Sequence, residues 1–98
     1  MFGKINKDLY VDNGGEVEYY IHKNSQNEFL SHAFQYSEGM WKHYEKEVTV
    51  TDEMLSMAKE SYGEEDAEFL AAMDELQQFP PEPENITEEE KEKIINNL

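Results

Sequence analysis

Apolar and polar positions alternate near the start of the chain and then change period. In "EVEYYIHK" (Glu16–Lys23), Val17, Tyr19 and Ile21 fall on one face, with Glu16, Glu18, Tyr20 and His22 on the other. That period of two is the mark of a half-buried strand. "KDLYV" (Lys7–Val11) reads as its partner, and "DNGG" (Asp12–Gly15) between them supplies the Asn-Gly pair that a tight hairpin turn needs for its positive φ angles. "FGKI" (Phe2–Ile5) extends the first strand or adds a short one. A two-stranded hairpin is marginal alone in water and needs something to pack on.

The next segment changes to helical spacing. In "NSQNEFLSHAFQYSEGMWKHYEKE", Phe29, Leu30, Ala33, Phe34, Met40, Trp41 and Tyr44 recur at intervals that suit an amphipathic helix over Gln26–Lys46, with Ser37 in the one gap. Ser25 and Glu28 have the spacing of a capping box at its start. Gly39 inside such a helix costs about 1 kcal/mol relative to alanine, which implies a bend or a close contact there. The aromatic stripe is expected to be core, packed on Tyr19 and Ile21, rather than a ligand pocket.

"VTV" (Val48–Val50) leaves room for a third short strand. Thr51 then caps a helix whose first turn carries Asp52 and Glu53, the sign a helix N-terminus prefers. Met54, Leu55, Met57 and Ala58 are expected to face inward. Gly63 ends this helix, and Glu64–Gln78 forms the next, with Phe69, Leu70, Met73 and Leu76 as its apolar stripe. The alternative is one long helix bent at Gly63. "FPPEPEN" breaks the helical pattern, and Thr87 with Glu90 forms a capping box for a short last helix bearing Ile94, Ile95 and Leu98.

The expected fold class is therefore α+β: an N-terminal β-hairpin, with or without a third short strand, packed on a long amphipathic helix and followed by acidic helices. The expected organisation is a single domain over residues 1–79, a Pro-rich acidic linker over 80–86 and a short C-terminal helix over 87–98. The 98-residue length suits one modest core, and twelve aromatic residues give it bulk. There is no cysteine, so no disulfide or thiolate metal site is available. With no apolar run of membrane-spanning length and no signal-peptide pattern, a cytoplasmic protein is expected.

Charge changes the picture most. Twenty-three acidic residues face eight lysines, and arginine is absent. Residues 1–49 carry a net charge of −3 and residues 50–98 a net charge of −12. Direct binding to nucleic acid or anionic lipid is disfavoured, because phosphate contacts need Lys and Arg; a basic partner is favoured instead.

Catalytic motifs are not apparent. There is no Gly-rich phosphate loop, no G-x-S-x-G and no H-E-x-x-H, so no enzyme and no cofactor are expected. "DNGGEVE" fails as a calcium loop, since Val17 and Lys23 stand where Gly and Glu are required. On one helix, His32 and His43 would lie about 16 Å apart, too far to share a metal.

The acids themselves form the candidate site. Along a continuous helix, Glu60, Glu64, Glu68 and Glu75 fall within roughly 80° of one another, and Glu65, Asp66 and Asp74 broaden the band. Carboxylates four residues apart stand about 6 Å from one another, close to the phosphate spacing of a nucleic-acid strand. Such an array fits the basic groove of a nucleic-acid-handling protein and excludes the nucleic acid without catalysis. The competing reading is a solvated face on an acidic adaptor or antidote-like module whose basic partner has nothing to do with nucleic acid.

"EYYI" (Glu18–Ile21), "FLSHAF" (Phe29–Phe34), "GMWKHYE" (Gly39–Glu45) and the acidic run after them resemble the small phage-encoded anti-CRISPR proteins that mimic DNA. The resemblance implies a β-then-helix body, a CRISPR effector nuclease as partner and the host cytoplasm as location. It also adds Glu38, Glu45, Glu47, Asp52 and Glu53 to the partner-binding candidates.

Overall fold

The computed structural model describes residues 2–6, 8–13, 15–78 and 82–98, with strand β1 at Phe2–Asn6 followed as backbone. The Lys7 end of the first expected strand, the Gly14 position of its turn and the Pro80–Pro81 helix stop lie outside the described residues. After β1 come β2 (Leu9–Asp12), β3 (Val17–Lys23), β4 (Glu28–Ser37) and β5 (Met40–Thr49). Helices α1 (Asp52–Tyr62) and α2 (Ala67–Gln78) follow, then a short β6 (Glu84–Ile86) and α3 (Glu88–Asn96). The strands form one antiparallel sheet in chain order, β1-β2-β3-β4-β5-β6.

The expected fold class is corrected at its centre. No long helix packs on a hairpin: Gln26–Lys46 forms most of β4 and β5, paired along their lengths from Glu28↔Thr49 to Ser37↔Met40. The error has a physical origin. Phe29, Ser31 and Ala33 point to one face of β4, while His32 and Phe34 point to the other, and all five are buried. A strand buried on both faces loses its apolar-polar alternation, and its apolar positions then mimic helical spacing.

Two local features fix the hairpin. Glu38 and Gly39 have φ of 54° and 82°, the two positive values that a tight turn of this hand requires. Gly39 is therefore a turn residue, not a flaw in a helix. Ser25 and Glu28 do not cap a helix either. The backbone N–H groups of Asn24 and Ser25 both donate to the Glu28 carbonyl, at 2.9 and 3.3 Å, and close the β3–β4 connection.

Helices cover both faces of the sheet. On one face Tyr10, Ile21, Phe29 and Val48 pack against Ala58 of α1 and Phe69, Ala72 and Met73 of α2. Phe69 is the hub, stacked on Tyr10 at 5.9 Å and edge-on to Phe29 at 5.4 Å between ring centroids. On the other face Val11, Tyr20, Phe34, Trp41 and Ile86 take Ile94, Ile95 and Leu98 from the C-terminal segment. The expected caps at Thr51 and Thr87 are present, the second as a complete capping box. Within the expected linker, Glu84–Ile86 pairs with Trp41–His43 and brings α3 onto the second face.

Gly39→Ala tests the hairpin by sign. A Cβ at Gly39 meets nothing within 4 Å, so the change is a pure backbone effect at a positive φ. It is expected to destabilise the protein by about 1 kcal/mol in urea unfolding, whereas in a helix it would stabilise by a similar amount.

Candidate functional site

The helix hairpin carries most of the acidic candidates, and its geometry sorts them. α1 stops at Gly63, whose φ is 87° and whose N–H donates to the Lys59 carbonyl at 2.9 Å. Asp66 takes a φ of 58° in the turn, and α2 starts at Ala67. The chain reverses between the two helices, so Glu60, Glu64, Glu68 and Glu75 do not share one helical band. Instead Glu64, Glu65, Asp66 and Glu68 line an open concavity at the turn with Leu55 and Lys59.

Glu68, Glu75 and Asp74 have structural partners. The Lys23 ammonium on β3 donates to both Glu68 oxygens at 3.1 Å, and Lys46 on β5 pairs with Glu75 at 3.4 Å. These two ion pairs pin α2 to the sheet. Asp74 accepts a hydrogen bond from the Tyr62 hydroxyl at 2.7 Å, and that bond raises the Tyr62 pKa. Asp52, Glu53 and Glu60 lie exposed on α1, the first two in the turn capped by Thr51.

Glu38, Glu45 and Glu47 stand apart from this group. Glu38 is exposed in the β4–β5 turn. Glu45 sits beside His32 on the face covered by α3, and alternation along β5 puts Glu47 on the same side. The candidates therefore divide between the helix hairpin, a turn and the opposite face of the sheet.

That opposite face has a polar centre that the sequence reading did not find. His32 Nδ1 and His43 Nε2 are 2.8 Å apart, so one donates and the other accepts. The rings are stacked with centroids 5.1 Å apart, and His43 stacks in turn on Phe34 at 4.8 Å. Only 4 % of His32 and 7 % of His43 is exposed. Placing both residues on one helix gave a separation of about 16 Å; pairing β4 with β5 brings them into contact. Burial, then His43, then His22 push the His32 pKa down from 6.5 to about 4. Burial also lowers His43, against the opposing pull of Glu45 and Glu84.

Beside this pair, Lys91 of α3 is 9 % exposed. Its ammonium lies 3.0 Å from Glu18 of β3 and 3.8 Å from the Trp41 ring centroid. Glu18 also accepts from Tyr20, whose hydroxyl is pushed up to about 12 by burial first and by Glu18 second. One lysine thus joins α3, β3 and β5.

Ser31 neighbours His32 in sequence but points to the opposite face of the sheet, so the two do not form a nucleophile–base pair. Among the described residues, no group of three or more His, Asp or Glu is placed to hold a metal ion. No helix among them is long and apolar enough to cross a membrane. Comparison with protein-family models, curated proteins and solved structures found no match to this chain.

Two predictions follow from the buried face. Because His32 binds protons less readily in the folded than in the unfolded chain, its contribution makes stability rise with pH between about 4 and 6.5, and burial of His43 acts in the same direction. Urea unfolding across that window should show a steeper slope for this protein than for a His32→Gln, His43→Gln variant. Lys91→Met removes the partner of Glu18 and the cation over Trp41, and is expected to cost about 2 kcal/mol. A red-shifted Trp41 emission should report the loosening of α3.

Proposed function

We propose that this protein is a non-catalytic inhibitor that binds a basic nucleic-acid-handling protein and occupies its DNA or RNA site with carboxylates. The carrying observation is the charge of the helix hairpin: Asp52–Gln78 holds nine acidic residues and one lysine. The sheet's lysines do little to offset it. Lys23 and Lys46 are drawn inward to Glu68 and Glu75, which leaves Glu53, Glu60, Glu64 and Glu65 as exposed carboxylates on a folded frame. Like charges held close on a rigid scaffold raise the folding cost, and a basic groove that neutralises them returns that free energy as binding. Pre-ordering on two packed helices also limits the entropy lost on association.

The segments that resemble DNA-mimicking anti-CRISPR proteins form β3, β4 and β5, the platform beneath this hairpin. A CRISPR effector nuclease in the host cytoplasm is therefore the partner we propose. Within the site, Glu60, Glu64 and Glu65 make the principal contacts, with Asp52, Glu53 and Asp66 beside them. Glu68 and Glu75 act through their ion pairs as positioning residues. Glu38 in the β4–β5 turn, and Glu45 and Glu47 on the opposite face of the sheet, lie apart from the hairpin and outside this contact.

The test is capture by the tagged protein at low salt followed by a challenge with double-stranded DNA. The expected result is a nucleic-acid-binding protein that DNA releases. A captured partner indifferent to DNA would overturn mimicry and favour an adaptor with a basic partner. Reversing Glu60, Glu64 and Glu65 to Lys should weaken the captured complex by roughly tenfold or more while leaving the circular dichroism spectrum unchanged.

A further inference from the structure

The seam between α1 and α2 is a groove of about 230 Å³ lined by Met54, Met57, Ala58, Ser61, Ala71 and the acids Asp74 and Glu75. Its floor is made of small residues: Ala58 and Ala71 are both buried, and an alanine floor lets another backbone approach closely. The walls are methionine. Met57 is 61 % exposed, the most exposed of the large apolar side chains among the described residues. The sequence pattern put it in the core, and the structure puts it in solvent at the lip of the groove.

Carboxylates surround this apolar strip. Glu53 and Glu60 lie one turn to either side of Met57 on α1, both exposed and without a described cationic partner. On the α2 side, Asp74 and Glu75 are held in place by Tyr62 and Lys46. A surface made only to repel and dissolve has no use for an unbranched, polarizable side chain at its centre. Methionine suits a contact that must adapt to an apolar partner, and the acidic rim fixes the sign of what surrounds that partner's apolar side chain.

We infer that this groove receives a basic amphipathic helix of a partner protein. One large apolar side chain of that helix enters between Met54 and Met57, and its Lys or Arg residues meet Glu53, Glu60 and Asp74. The inference rests on the reading that the partner is basic. It adds a helix-in-groove contact, which phosphate mimicry alone does not require, and it names the α1–α2 seam as a second point of attachment.

The full chain, labelled with ¹³C at the methionine methyl groups, tests it by NMR. One probe is a synthetic peptide of about four helical turns with leucines along one face and lysines elsewhere. The other has the same composition with the leucines scattered around the helix. The facially ordered peptide should shift the Met54 and Met57 methyl signals saturably and leave the buried Met73 signal nearly unmoved. Met57→Ser should weaken its binding about tenfold without changing the circular dichroism spectrum.

Equal binding by the scrambled peptide would overturn the groove and leave only charge attraction. No shift with either peptide would overturn it as well. Movement of the Met57 signal with protein concentration alone would assign the groove to a second copy of this chain instead. None of these results depends on release by DNA, so the groove and the mimicry stand or fall separately.

Discussion

Strand β4 has no solvent-facing side over most of its length, and the rest of the architecture answers to that. Phe29, Ser31 and Ala33 need a cover on one face, while His32 and Phe34 need one on the other. A sheet with one wet face could not hold this strand, because burying only one set would leave either Phe29 or Phe34 in water. The α1–α2 hairpin supplies the first cover and α3 the second. The chain makes its five longer meander strands first because each pairs with the strand before it, and the covering helices follow.

The two covers are attached by different physics. α1 and α2 offer alanines, Met73 and Phe69 to an apolar surface and are pinned at the margins by Lys23–Glu68 and Lys46–Glu75. α3 has a thinner apolar stripe and relies in addition on Lys91, held between Glu18 and the Trp41 ring. The sheet thereby draws three lysines inward in a chain that has only eight. What remains outside is strongly negative, so the acidity of the helix hairpin follows in part from how the lysines are spent in holding the fold. Beneath α3, burial disfavours the charged form of the paired histidines.

Some of this was legible in the sequence, for definable reasons. α1, α2 and α3 each turn one face to the sheet and a wetter one away from it, so their periods survive. β3 keeps a readable alternation through Glu18 and His22, although Tyr20 and Ile21 are buried on opposite faces and the strand is not half-wet as its pattern suggests. Thr51 and Thr87 announce helix starts because capping is local chemistry between residues three apart. The β4 sequence reads as helix because two-sided burial erases alternation, and the β5 sequence is drawn in with it. The signal that separates the two readings is "SEGM" (Ser37–Met40): a glycine at a turn position midway between segments of equal length. Once β4 pairs with β5 there, the His32–His43 contact follows from register alone. The Lys91–Glu18 pair spans 73 positions, and no local pattern encodes it. The acidic candidates were legible as residues but not as an array, because Gly63 and Asp66 turn the chain and separate them.

Native-state amide hydrogen exchange tests the dependence on β4 most directly. The Phe29–Phe34 amides are expected to be among the slowest in the protein and to exchange only through global unfolding, since both covers must leave before water reaches them. Exchange of these amides through a lower-energy opening, as fast as that of α3, would contradict the account, for it would mean that one cover alone is dispensable to the strand on which everything else rests.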